Sequence, residues 1–235
     1  MTARLLDKAQ IAKRLAEIRG KIAAAAKSAG LGAGEIRLLA ATKTVPAETV
    51  NYAADLGVDL IGENRVNELT EKLPFYSPKA ERHFIGHLQT NKVNKVVGHV
   101  SLIQSVDSIR LAEEIGKQSV KSGLITPVLL EVNIGNEPGK FGFTKNEIFT
   151  ECEKAAKISG ISIAGLMAIP PVCETEIEIR RYFSQMRKLF LDIGAEKMDN
   201  VNMQVLSMGM SDDFEAAIWE GANLVRIGSL LFGSR

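Results

Sequence analysis

The sequence predicts a single (β/α)8 barrel, and three observations carry that expectation. Short apolar runs alternate with helix-patterned segments eight times along the chain. The runs lack a clean apolar–polar alternation, as strands do when both faces of a parallel sheet are covered. The length of 235 residues suits one closed barrel better than an open doubly wound sheet with as many repeats. A single domain over residues 1–235 is expected, with an N-terminal helix over about 8–29 and the barrel over about 37–233.

The first segment, Lys8 to Ala29, is rich in Ala, Lys, Arg and Glu and stops at Gly30, which suits a helix and its terminator. The GLGAG that follows, Gly30 to Gly34, is no dinucleotide fingerprint, because its glycines precede a strand and a third required glycine is absent. Candidate strands then occupy residues 36–43, 59–64, 83–88, 102–106, 127–133, 163–169, 203–209 and 224–228. Between them, segments such as 46–57, 108–123 and 175–194 repeat apolar residues at three and four. Ile109, Glu113, Lys117 and Val120 mark one such helix, with a buried and a wet stripe. No linker, low-complexity tract or second domain interrupts the pattern.

Composition narrows the class. Hydrophobic residues make up 46% and charged residues 24%, and 29 basic against 28 acidic side chains leave a formal net charge of +1. That balance provides no long-range field for a polyanion, so neither nucleic acid nor a membrane surface is an expected partner. No run approaches the ~20 apolar residues of a membrane span, and the charged start, MTARLLDKAQIAKRL, lacks the apolar core of a signal peptide. Cys152 and Cys173 have no metal-ligand spacing and read as reduced thiols. A cytoplasmic location is expected.

In such barrels function gathers at the C-terminal ends of the strands. The first strand ends Ala41-Thr42-Lys43-Thr44, with Pro46 at the next helix start. Lys43 reads either as a desolvated nucleophilic amine, as imine chemistry requires, or as a lysine snorkelling to solvent. The last strand reads Val225-Arg226-Ile227-Gly228-Ser229, and a glycine followed by a hydroxyl residue at a helix start is a phosphate cradle. Ser207-Met208-Gly209-Met210-Ser211 offers further hydroxyls one strand earlier, but Asp212 and Asp213 beside it would repel an anion. Arg226 shares a strand face with Gly228 and needs a partner, either a carboxylate such as Glu63 or a bound cofactor. Asn64 is either a second polar group at the mouth or the N-cap of the segment starting at Arg65. His83 and His87 share a face but lack a third ligand, so packing or hydrogen bonding is expected of them. Lys140, in the loop Gly135–Lys140, is the rival amine, in a position that should leave it wet.

These segments resemble one family. ATKT around Lys43, IGENRVNE, HFIGHLQTNK, EVNIGNEPGKFGF, GLMAIPP, LSMGMSDDFEAAI and VRIGSLLFG follow the order found in the pyridoxal phosphate homeostasis proteins, single-domain relatives of the alanine racemase barrel. They cover nearly all of residues 37–233. The resemblance implies pyridoxal 5'-phosphate held as a Schiff base on Lys43, with Ser207, Gly228 and Ser229 at its phosphate. It further implies Arg226 near the pyridine side and Asn64 and Met208 lining the cofactor. No metal is implied. Many members continue past a Phe-Gly-x-Arg end with an Asp-Tyr and a basic tail, whereas the residues here end at Arg235.

An arginine at the pyridine nitrogen would keep that nitrogen unprotonated and weaken the ring as an electron sink. The function implied is a cofactor carrier or regulator in vitamin B6 homeostasis without an established turnover, and so not an enzyme. Apo forms of pyridoxal-dependent enzymes are its candidate acceptors and a monomer its expected state. Two alternatives stay open at this point, a racemase-like enzyme acting on a small amino acid and a cofactor-free Schiff-base aldolase.

Overall fold

The computed structural model describes residues 6–233. Residues 1–5 and 234–235, on which the signal-peptide and C-terminal expectations partly bear, lie outside the described residues. The first half runs α1 (Lys8–Ser28), β1 (Arg37–Ala41), α2 (Ala47–Asp55), β2 (Leu60–Glu63), α3 (Val66–Lys72), β3 (Glu81–Phe84), β4 (Leu102–Val106) and α4 (Ile109–Lys121). The second runs β5 (Thr126–Asn133), β6 (Phe143–Thr144), α5 (Ile148–Ala156), β7 (Ile161–Ala168), α6 (Glu176–Ala195), β8 (Val201–Ser207), α7 (Phe214–Trp219), β9 (Leu224–Ile227) and α8 (Ser229–Phe232).

Every pairing among these strands is parallel, from β4 through β3, β2, β1, β9, β8 and β7 to β5, and a β4–β5 pairing closes the ring. The result is a closed eight-stranded (β/α)8 barrel, as the alternation of apolar runs predicts. Each predicted strand is present. The extra β6 is only two residues long and attaches to the end of β5 through Val132 and Phe143, too short to leave a periodic signal. One repeat departs from the pattern, because a 3-10 segment, Thr90–Lys95, stands where an α-helix would follow β3.

Alternation along the strands separates two cores. In β1, Ala40 packs with the helices, while Leu39 joins Leu60, Ile85 and Leu224 inside the barrel. Leu102, Leu129 and Met167 form a second interior cluster. Full burial of each such side chain contributes roughly 1.5–3 kcal/mol. At Gly165 φ is 151°, and a Cβ there would lie 1.9 Å from the Val205 carbonyl oxygen, so only glycine lets β7 approach β8 this closely. The strand register shifts at the same point.

α1 begins at a capping box, in which the Asp7 side chain accepts from Gln10 N at 2.8 Å and the Gln10 side chain accepts from Asp7 N at 3.1 Å. Its stripe of Ile11, Leu15, Ile18 and Ile22 is buried against α2, α7 and α8. In α4 the buried stripe is Leu111, Ala112, Ile115 and Ser119. Val120, read from sequence as part of the pattern, is 58% exposed beside Glu113 and Lys117 on the wet side. Among the described residues, no helix is long and apolar enough to cross a membrane.

Candidate functional site

At the C-terminal mouth of the barrel lies a cavity of about 460 Å³, a size that suits a cofactor-sized molecule. Its wall is assembled from strand ends. Ala41 and Lys43 come from the exit of β1, Asn64 from β2, Ile85 from β3, Ile169 from β7, Met210 to Asp212 from β8, and Arg226, Gly228 and Ser229 from β9. Lys43 is exposed at this wall, one residue past Thr42 in a tight turn. Asn64 does not cap α3, whose N-cap is Arg65 without a side-chain hydrogen bond, and it lines the cavity. The Asn64 backbone meets Gly86 so closely that a Cβ there would lie 2.1 Å from the Asn64 carbonyl oxygen. Glycine at 86 therefore fixes how tightly the exits of β2 and β3 close around the site.

Arg226 is buried, and its guanidinium is held from below. Its Nη1 donates to Ser207 Oγ at 2.6 Å and its Nη2 to the Ala168 carbonyl at 3.0 Å. Ser207 Oγ in turn donates to Gln104 Oε1 at 2.7 Å, and Gln104 Nε2 donates to His83 Nδ1 at 2.8 Å. Burial pushes His83 down to about 3, with the Arg37 charge adding to it, so the imidazole is neutral and accepts at Nδ1. Each donor in this row is thereby matched to an acceptor, as a buried polar network requires. Burial also lowers Arg226 to about 10, against the opposing charges of Glu131 and Asp213, which leaves it cationic at neutral pH. The pairing with Glu63 weighed from sequence is not made. Glu63 points to the other face of β2, where Thr42 Oγ1 (2.7 Å), Lys72 Nζ (3.0 Å) and the Tyr76 hydroxyl all donate to its Oε1.

Beside Ser229, the backbone N–H groups of Gly228 and Leu230 converge on one oxygen, Ser211 Oγ, at 3.3 and 3.4 Å. Five of the residues singled out from sequence thus meet at one cavity: Lys43, Asn64, Arg226, Gly228 and Ser229. Two do not reach its wall. Ser207 lies beneath it with its hydroxyl engaged by Arg226 and Gln104, and Met208 is fully buried in the core between strands and helices. Ser207 ends β8 and Met208 follows it, both fully buried before the chain emerges at Met210.

Gln104 and Glu131 escaped the sequence reading. Each is a long polar side chain in a largely apolar strand, LIQSV and PVLLEVN, the signal by which Arg226 is conspicuous. Burial raises Glu131 to about 7, with Asp107 adding to it and Arg226 opposing. His87 Nδ1 meets Asp107 Oδ2 at 3.0 Å, and its ring stacks on Phe141 with centroids 3.6 Å apart. The rival amine Lys140 is exposed, pairs with Glu137 and lines a neighbouring groove. Cys152 is buried, which pushes its thiol up to about 12, and Cys173 is partly exposed, both free. Among the described residues, no three His, Cys, Asp or Glu groups gather as a metal site.

Comparison with known proteins agrees with this architecture. The family model for the alanine racemase N-terminal domain matches residues 3–235. A pyridoxal phosphate homeostasis protein of Aquifex aeolicus is 42% identical over 224 residues, covering 95% of this chain and 97% of that one. The Escherichia coli protein of the same name is 37% identical over 229 residues, covering 96% and 97%. Among solved structures, PipY of Synechococcus elongatus with PLP bound superposes with a TM-score of 0.83 at 32% identity, over 95% of this chain and 100% of that one. An alanine racemase of Clostridium difficile, at 16% identity and a TM-score of 0.67, shares the fold over 86% of this chain and 52% of its own. The chain belongs to the alanine racemase N-terminal domain family, among its pyridoxal phosphate homeostasis proteins.

Proposed function

We propose that this chain binds pyridoxal 5'-phosphate in the cavity at the barrel mouth and serves cofactor homeostasis as a carrier or regulator, not as an enzyme with its own turnover. The carrying observation is that Lys43, Arg226 and the Gly228–Ser229 turn line one cavity together with Ser211, whose Oγ accepts from the N–H groups of Gly228 and Leu230.

The residues present fit the group. An aldehyde needs an amine, and Lys43 would supply it as a Schiff base. A phosphate needs converging donors, and Gly228 N and Leu230 N hold only the long contacts to Ser211 Oγ, which a charged oxygen would displace. Ser229 stands beside them, and Asp212 marks the side of the cavity that an anion would avoid. Arg226, fixed by Ser207 and the Ala168 carbonyl, would donate to the ring side, with Asn64 on the wall from β2. Ser207 would act through Arg226, and Met208 by packing β8 behind the site. When bound, the cofactor supplies an electron-withdrawing ring, weakened as a sink by an arginine that does not give up its proton.

On this reading the whole chain works as one domain and a monomer in the cytoplasm, handing vitamin B6 cofactor to apo enzymes. The test is the visible spectrum of purified protein before and after borohydride, followed by peptide mapping. A reducible visible band with the label on the Lys43 peptide is expected. Colourless protein that takes up no cofactor would overturn the reading.

A further inference from the structure

The turn that presents Lys43 is fastened on both sides by α3. Before it, the Thr42 carbonyl accepts from Lys72 Nζ at 3.1 Å, and Thr42 Oγ1 lies 2.7 Å from Glu63 Oε1, which Lys72 also holds at 3.0 Å. After it, Thr44 N donates to Glu68 Oε2 at 2.7 Å, and Lys72 Nζ donates to the same carboxylate oxygen at 3.2 Å. Thr44 has φ 60°, a left-handed conformation that a β-branched residue adopts at a cost of order 1 kcal/mol or more. The surroundings must impose it, and the Glu68 carboxylate accepts the Thr44 N–H.

We infer that Glu68 and Lys72 are positioning residues for the Lys43 amine, locking the backbone at Thr42 and Thr44 so that the side chain between them enters the cavity from one fixed point. The inference rests on Lys43 being the attachment residue. Neither Glu68 nor Lys72 lines the cavity, so both act through the turn and not on a bound molecule. Their side chains retain only 17% and 14% of their exposure, and drawing charges this far from water is a costly way merely to dock a helix on a strand. Apolar contacts such as Val66 and Leu69 already do that for α3. What a charged pair adds is direction. One ammonium and one carboxylate specify where both peptide groups of the turn must lie.

The experiment compares Glu68→Ala, Glu68→Gln and the Lys72→Met/Glu63→Gln pair, which avoids leaving Glu63 as an orphaned buried charge. For each variant two quantities are read after loading with pyridoxal 5'-phosphate: total cofactor bound, and the rate and extent of its attachment to Lys43 by visible band and borohydride-fixed label. Glu68→Ala and the double variant should attach at least ~tenfold more slowly, because a misplaced nucleophile loses its near-attack geometry. Total binding through the phosphate should change far less. Glu68→Gln should recover most of the rate, since its amide oxygen still accepts from Thr44. Attachment at the wild-type rate in both Glu68→Ala and the double variant overturns the inference. So does a loss of attachment that merely tracks equal losses of total binding and of thermal stability. If wild-type protein itself carries its label elsewhere than Lys43, the functional reading fails first, and no variant is needed to see it.

Discussion

Ser207 Oγ lies 2.6 Å from Arg226 Nη1, and this bond couples the last strand of the barrel to a polar row that crosses its interior through Gln104 to His83. Ser207→Ala would leave a guanidinium N–H and the Gln104 carbonyl oxygen without partners in a dry interior. A loss of about 1–3 kcal/mol of stability is expected from such unsatisfied groups. Denaturant unfolding of the apo protein measures it. An unchanged midpoint would mean that water replaces the hydroxyl and that the row does not fix Arg226.

Lys43→Ala should abolish the reducible visible band while leaving the barrel folded, since Lys43 is exposed and its removal opens no core cavity. The borohydride label in wild-type protein should map to the Lys43 peptide. A label on Lys140 with Lys43→Ala still yellow would assign the attachment to the loop after β5 instead.

Ser229→Ala should weaken pyridoxal 5'-phosphate more than pyridoxal, because the hydroxyl stands beside the converging N–H groups of Gly228 and Leu230. A hydrogen bond to a charged group contributes roughly 1.5–3 kcal/mol, so a loss of about tenfold in affinity is expected for the phosphorylated form alone. Titration with both ligands decides it. Equal losses for the two would move the phosphate away from this turn.

The interior carboxyl of Glu131 gives a pH signature. Its folded value, raised to about 7 by burial and by Asp107 against the pull of Arg226, lies above the ordinary 4.5, so the native state binds the extra proton between the two. Stability should therefore fall as pH rises through this window and stay lowered above it. Glu131→Gln should remove that fall, stabilising the protein by on the order of 1–3 kcal/mol at pH 8 and little at pH 5. Parallel pH profiles for the two proteins would show instead that Arg226 fully compensates the charge.

Alanine should exchange its α-proton slowly and without inversion. Racemisation needs an acid and a base on opposite faces of the α-carbon, and the tyrosines are committed elsewhere. Tyr52 donates to Glu48, Tyr76 donates to Glu63, and Tyr182 lines a separate groove beside Pro171. Deuterium incorporation into L-alanine, compared with D-alanine formation, reads both events. Rapid inversion abolished by one Tyr→Phe change would make this protein an enzyme.

The fold was legible because burial on both faces leaves apolar runs, and Gly30 and the segments at 46–57, 108–123 and 175–194 punctuate them. Lys43, Asn64, Arg226, Gly228 and Ser229 were legible because a strand's C-terminal end in this architecture is also the mouth of the barrel. What lies one step away from the chain was not. That Glu63 turns to Lys72 and Tyr76 while Arg226 turns to Ser207 depends on which face of each strand the closed register exposes. That Gln104 reaches both His83 and Ser207 depends on strands far apart in sequence meeting across the interior. Local pattern specifies a residue's element and its end, since those follow from periodicity and backbone preference. Partnership between side chains follows from barrel closure, and only the tertiary structure decided it.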